Sequence, residues 1–127
     1  MKKYALMMVV VVMGLTLAVG VFAADKAAIE KQVNDIVMAI DHGKTAADFK
    51  DAANNKPNYV YIIKEDGSVL VHPSLEGKNL KEAAMPAFEA VTKATPKGTW
   101  VKYEWKGAEK NAYVRKTKDG EIVGSGY

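Results

Sequence analysis

The stretch YVYIIKEDGSVLVH, residues 59–72, decides which fold this chain can adopt. Two runs of β-branched and aromatic residues flank the turn Glu65-Asp66-Gly67, and Asp-Gly between such runs is a strong signal for a β-hairpin. Before Pro57 the apolar spacing is helical instead. One stripe of a helix over residues 25–42 would carry Ile29, Val33, Ile36, Val37 and Ile40. The chain therefore passes from helices into a sheet at Pro57.

The segments around this hairpin complete the predicted architecture. Thr45 and Asp48 have the spacing of a capping box at the start of a short second helix. A helical patch over residues 80–93 contains Pro86, which removes a hydrogen-bond donor and should split the helix. Further strands are predicted at residues 100–105, 112–116 and 122–127, joined by turns at 106–109 and 118–120. The sum is an α+β domain, with a five-stranded antiparallel sheet, N-terminal helices and a crossing helical segment.

The first 23 residues have the layout of a secretory signal peptide. Two lysines precede an apolar stretch of roughly 19 residues, and Val21-Phe22-Ala23 provides the small-residue exit. We expect cleavage after Ala23 and a single domain over residues 24–127 in the periplasm or secreted. The alternative is an uncleaved N-terminal membrane anchor, because the stretch is about long enough to cross a bilayer. Both alternatives place the domain outside the cytoplasm.

Composition and motifs exclude several classes of function. The 127 residues include no cysteine, which excludes disulfides, thiolate zinc sites and cysteine nucleophiles. Beyond the leader, 16 basic residues face 15 acidic ones, and this near balance predicts no nucleic-acid partner. The sequence has no nucleophile elbow, no glycine-rich phosphate loop and no helix with paired histidines. We therefore expect neither catalysis nor a metal or other cofactor.

Alternation along the strands predicts two different sheet faces, because successive side chains point to opposite sides. One face is wholly apolar and suits the first helix: Val60, Ile62, Val69, Val71, Ala112 and Val114. The other combines rings with polar tips: Tyr59, Tyr61, Ile63, Leu70, His72, Tyr113 and Arg115, with Tyr103 and Trp105 if the register of the fourth strand places them there. Buried hydroxyl, imidazole and guanidinium groups each need a hydrogen-bond partner. We therefore expect the second face to form the wall of a small-molecule pocket.

Each of these residues also has a plainer interpretation. Tyrosines on a half-buried sheet often serve only as packing residues. His72 precedes a proline, and such a ring is often satisfied by the backbone at a strand end. Arg115 stands near Lys116 and Lys118, as a solvated charge would. It is nevertheless the chain's single arginine, and a guanidinium is the side chain best suited to bidentate binding of a carboxylate.

The ordered series of motifs at residues 59–73, 76–80, 98–105, 112–115 and 123–127 resembles a single Cache domain. Such domains are the PAS-like extracytoplasmic sensors of bacterial chemoreceptors and histidine kinases, and the likeness covers about residues 45–127. The resemblance implies a pocket between sheet and helices that binds small metabolites, often short carboxylates. Carried over position by position, it implies a binding set of Tyr61, His72, Trp105, Tyr113 and Arg115.

Two functions therefore stand as hypotheses. The first is a free-standing exported sensor that binds a small organic acid without chemistry, closes residues 75–97 over it and informs a membrane receptor or histidine kinase, as in chemotaxis. The second is a protein-interaction module with a filled-in pocket, which would be a membrane-tethered dimer if the leader stays attached. An enzyme ranks third, because no catalytic pair is evident.

Overall fold

The structure is a computed structural model that describes the backbone of residues 13–127 and the side chains from Lys26 onward. Its helices are α1 (Met13–Asp41), a 3₁₀ helix (Ala46–Asn54), α2 (Leu80–Ala83) and α3 (Met85–Val91). Its strands are β1 (Val60–Ile63), β2 (Val69–Val71), β3 (Thr99–Trp105), β4 (Ala108–Lys116) and β5 (Ile122–Gly126). The strands form one antiparallel sheet in the order β2-β1-β5-β4-β3. The predicted α+β class and five-stranded sheet are confirmed.

The predicted leader falls partly on residues 1–12, which lie outside the described part of the chain. The backbone of α1 begins at Met13, so the predicted helix start at Asp25 is wrong. Within the described part, no helix has both the length and the apolar character needed to cross a membrane.

The helical stripe predicted for α1 packs against the sheet. All five of its residues are buried: Ile29, Val33, Ile36, Val37 and Ile40. The helix ends where Gly43 takes a positive φ of 114°, which glycine adopts without steric cost. The amide of Gly43 then donates to the carbonyl of Ile40, and that of Lys44 donates to the carbonyl of Ala39. This pair of bonds is a Schellman ending and satisfies carbonyls that the helix leaves open.

Pro86 divides the crossing segment into two short helices, as predicted. α2 ends at Ala83, Ala84 leaves the helical region with φ −159° and ψ 78°, and α3 starts with Pro86 in its first turn. Helices of four and seven residues do not hold themselves together in water. Their position therefore depends on the few apolar side chains that they bury, which are Leu80, Ala87, Ala90 and Val91.

The register of β5 settles which side chains share a face, since residues directly opposite each other in an antiparallel pair point the same way. Tyr61 lies opposite Gly124, and Gly124 lies opposite Val114. This set points away from α1 and belongs to what we call the cavity face. The neighbouring set points toward α1 and belongs to the α1 face: Val60, Ser125 and Tyr113.

A two-residue turn connects β3 to β4, where a longer connection over residues 106–109 was expected. Lys106 and Gly107 both have positive φ, at 52° and 82°. This geometry is a type I′ turn, whose twist matches that of the strands, and its first position favours asparagine over lysine. The shorter turn extends β4 back to Ala108 and brings Lys110 into the sheet.

We expect Lys106→Asn to stabilise the fold by about 0.5–1 kcal/mol, because asparagine tolerates the left-handed conformation that strains lysine. The measurement is the free energy of unfolding from urea denaturation. Lys102→Asn is the matched control, because it removes the same charge from an exposed position of β3. It should give no gain, since asparagine is disfavoured in strands. Equal effects of the two variants would contradict the turn assignment.

Candidate functional site

A small cavity lies between the cavity face of the sheet and the split helix. Its walls are Tyr59, Tyr61, Ile63, Val69, His72, Leu80, Ala87, Val91, Tyr103 and Trp105. Three of these, Leu80, Ala87 and Val91, come from α2 and α3, which we call together the lid. The free space in this partly open cavity is about 10 Å³, which is room for about one water molecule.

The imidazole of His72 stands at the centre of the aromatic wall. Its ring centroid lies 5.5 Å from that of Tyr59, 6.3 Å from that of Tyr61 and 5.9 Å from that of Trp105. The Tyr59 and Trp105 contacts are edge-to-face, which is the favoured geometry for aromatic pairs. The structure therefore brings together three predicted binding residues, Tyr61, His72 and Trp105.

The hydrogen bonds of His72 define which of its nitrogens carries the proton. Nδ1 accepts from the backbone amide of Ser74 at 3.0 Å and from that of Leu75 at 3.1 Å. A nitrogen that accepts two amide hydrogens has no proton of its own, so the neutral ring carries its proton on Nε2. The ring thus serves the backbone, as its plainer interpretation predicted, and also offers an N–H donor on the side of Nε2.

Burial keeps this imidazole neutral. The pKa of His72 falls from its ordinary 6.5 to about 4, chiefly because the half-buried ring loses solvation when it is charged. The positive charges of Lys106 and Lys110 lower the pKa further. Protonation would also place a hydrogen on Nδ1 and break the hydrogen bonds that Nδ1 accepts from the two backbone amides. At neutral pH the cavity lining therefore includes an uncharged imidazole.

Two tyrosine hydroxyls meet in the lining of the same cavity. The hydroxyls of Tyr61 and Tyr103 are 3.3 Å apart, longer than the roughly 2.7–2.8 Å typical of such a bond. Burial raises the pKa of Tyr61 well above its ordinary value and raises that of Tyr103 to about 12. Both groups stay protonated, and this long bond leaves them hydrogen-bonding capacity for a further partner.

Gly124 makes room for the Tyr61 ring, and this role was not foreseen. A Cβ at Gly124 would lie 2.5 Å from atoms of that ring, closer than carbon atoms approach. The signal was present in the sequence, because a glycine inside a strand often marks the close approach of another group. Here Gly124 lets the Tyr61 ring lie across β5 and reach the cavity.

The prediction that Tyr113 and Arg115 share a face with Tyr61 and His72 is wrong. Both point to the α1 face: the Tyr113 hydroxyl has one hydrogen to donate and lies within hydrogen-bond distance of two acceptors, Asn34 Oδ1 at 3.2 Å and the Lys97 carbonyl at 3.1 Å. Arg115 donates from Nη1 to Asn34 Oδ1 at 2.9 Å and from Nε to the Pro96 carbonyl at 2.6 Å. Alternation determines which residues of one strand share a face. The register across β5 determines which face of β4 matches which face of β1. That register places the side chains of β4 on the opposite faces from those predicted.

Three residues of the predicted apolar face lie on the cavity face instead, two through the same reversal of β4 and one through a bulge. Ala112 and Val114 lie in the core on the cavity face, together with Val69. For Val69 the cause is a bulge in β2: Ile62 pairs with Val71 while Ile63 pairs with Val69, so Leu70 is an extra residue. The α1 face retains Val60, Ile62 and Val71 as predicted.

Neither a protein-family model nor a curated protein matches the chain. Among solved structures, it is similar in fold to a methyl-accepting chemotaxis protein from Vibrio parahaemolyticus, with a TM-score of 0.53. The two share 16% sequence identity, and the match covers 85% of this chain and 90% of that one. The likeness therefore extends over nearly the whole domain and shows its fold.

We expect acid to weaken the folded state through His72. The unfolded chain binds a proton near the ordinary pKa of 6.5 and the folded chain only near 4. The stability associated with a neutral ring is therefore full above about pH 6.5 and is lost progressively as the pH falls toward 4. Urea denaturation between pH 7.5 and 4 should show a steeper loss for the natural chain than for His72→Gln. Parallel curves would contradict the buried, neutral imidazole.

Proposed function

We propose that this protein is an extracytoplasmic sensor of the single Cache type, which binds a small organic acid non-covalently and catalyses no reaction. The observation that carries the proposal is that His72, with its protonated Nε2, and the paired hydroxyls of Tyr61 and Tyr103 belong to the lining of one apolar, aromatic cavity. A few convergent polar groups on apolar walls are the usual composition of a small-molecule site. The fold shared with a chemotaxis protein supports a role in sensing.

The size of the cavity sets the mechanism of binding. A carboxylate has at least three non-hydrogen atoms, whereas the space of about 10 Å³ admits a single water. Binding therefore requires the lid to move away from the rings. The lid is suited to such a motion because its two short helices are joined at the non-helical Ala84 and are held by few buried side chains. A ligand shifts this equilibrium by the difference between its affinities for the open and closed lid.

Movement of the lid would carry the signal to a membrane partner. In this account the protein lies in the periplasm or is secreted, and the change in lid position is recognised by a membrane receptor or histidine kinase. The lid is connected to α1 through the loop that follows α3, since Arg115 and Tyr113 bind the carbonyls of Pro96 and Lys97 and both reach Asn34. A lid displacement that moved this loop would therefore be transmitted to α1 through these hydrogen bonds.

A second candidate function is a protein-interaction module with a filled cavity. The observation that favours it is the same small volume of about 10 Å³, because the rings and the lid leave little unoccupied space. This alternative predicts an oligomer formed through α1 and no response to small acids. Light scattering after size exclusion, on the chain with and without residues 1–23, measures the oligomer directly.

We expect isothermal titration with acetate, propionate, pyruvate and lactate to detect binding of at least one of these acids. His72→Gln should weaken that binding by roughly 10-fold, because it removes the Nε2–H donor and the backbone bonds that orient it. His42→Gln is the matched control, since His42 is exposed at the end of α1 and its ring bonds only to the Met38 carbonyl among described residues.

Two results would contradict the sensor proposal. One is the absence of heat with all four acids, together with no thermal shift in a wider metabolite screen. The other is binding that survives His72→Gln but is lost in Arg115→Gln, which would place the site on the α1 face.

A further inference from the structure

The cavity has a cation at its margin that the sequence did not single out. Lys110 lies opposite Tyr103 in the β3–β4 pair, so its side chain leaves the sheet on the cavity face. Its Nζ lies 4.8 Å from the centroid of the Tyr59 ring, and Tyr59 is part of the cavity wall. The ammonium group thus rests on a ring that a bound ligand would also contact.

Lys110 has no acidic partner among the described residues. The ion pairs in that part of the chain join Lys31 to Asp35, Lys50 to Glu76 and Lys116 to Glu65. The acids nearest in sequence, Glu104 and Glu109, form a cross-strand pair of the opposite parity and point to the other face of the sheet.

The surroundings of Lys110 make an unpaired cation costly. Burial lowers its pKa, because the half-buried ammonium has lost part of its hydration. The Tyr59 ring compensates in part through a cation–π contact. A carboxylate that entered the cavity would supply the missing negative charge in a partly desolvated place, where charge-assisted hydrogen bonds are strong.

Arg115, which was expected to bind the acid, lies on the other face of the sheet and makes its hydrogen bonds there. Its guanidinium bonds to Asn34 and to the Pro96 carbonyl on the α1 face. We propose that Lys110 is the residue that makes the cavity select a carboxylate over a neutral molecule of the same shape. This inference rests on the proposed function. When the lid opens, the ammonium leaves the Tyr59 ring and pairs with the acid, while His72 Nε2–H donates to it.

The test compares propionate with propionamide, which has nearly the same shape and no charge. The natural chain should bind propionate more tightly. Lys110→Met keeps the apolar stem over Tyr59 and removes the charge, so it should weaken propionate binding roughly 10-fold to 100-fold and leave propionamide binding unchanged. Lys110→Arg should retain the preference for propionate within a few-fold. Lys102→Met removes a charge from an exposed position on the other face and should change neither affinity.

The outcomes separate this inference from the proposed function. If the natural chain binds propionate and Lys110→Met binds it equally well, the role of Lys110 is wrong and the sensor stands. If the natural chain binds neither compound nor any of the other acids, the proposed function fails and the inference fails with it. Thermal unfolding shows whether Lys110→Met is folded, and Lys110→Gln replaces it in the same comparison if it is not.

Discussion

The placement of β5 between β1 and β4 is the constraint on which the rest of this structure depends. Its register sets Tyr61 opposite Gly124 and Tyr113 opposite Ser125, and so assigns every ring of the two neighbouring strands to one face or the other. Gly124 is part of the same constraint, because any side chain there would meet the Tyr61 ring. The Tyr61 ring can reach the cavity because β5 has no side chain at Gly124.

The two faces created by this register differ in how they treat polar groups. On the α1 face the polar tips are satisfied within the protein: Asn34 binds both Tyr113 and Arg115, and Gln32 donates to Ser125. On the cavity face Tyr61 and Tyr103 share one long bond, and Lys110 has a ring but no acid beside it within the described residues. The polar groups of the cavity face therefore make fewer hydrogen bonds and ion pairs within the described residues than those of the α1 face.

Local signals predicted most of the fold and about half of the site. The stripe of α1, the split at Pro86 and the turn at Asp66-Gly67 each depend on residues close in sequence, and each is confirmed. The side assigned to Tyr113 and Arg115 was wrong because it depends on hydrogen bonds between distant strands, which alternation cannot reveal. Lys110 was missed because the tight turn at Lys106 and Gly107, rather than a longer loop, determines that it belongs to β4.

The central claim is that the ring-lined cavity opens to admit a small acid beneath the lid. The most direct measurement is a crystal structure of the protein grown with saturating propionate. The account predicts electron density for the acid between His72 Nε2 and Lys110 Nζ, with Leu80, Ala87 and Val91 displaced outward. A lid still seated on the rings and a cavity that holds no more than one water would contradict it, as would propionate bound beside Arg115 on the α1 face.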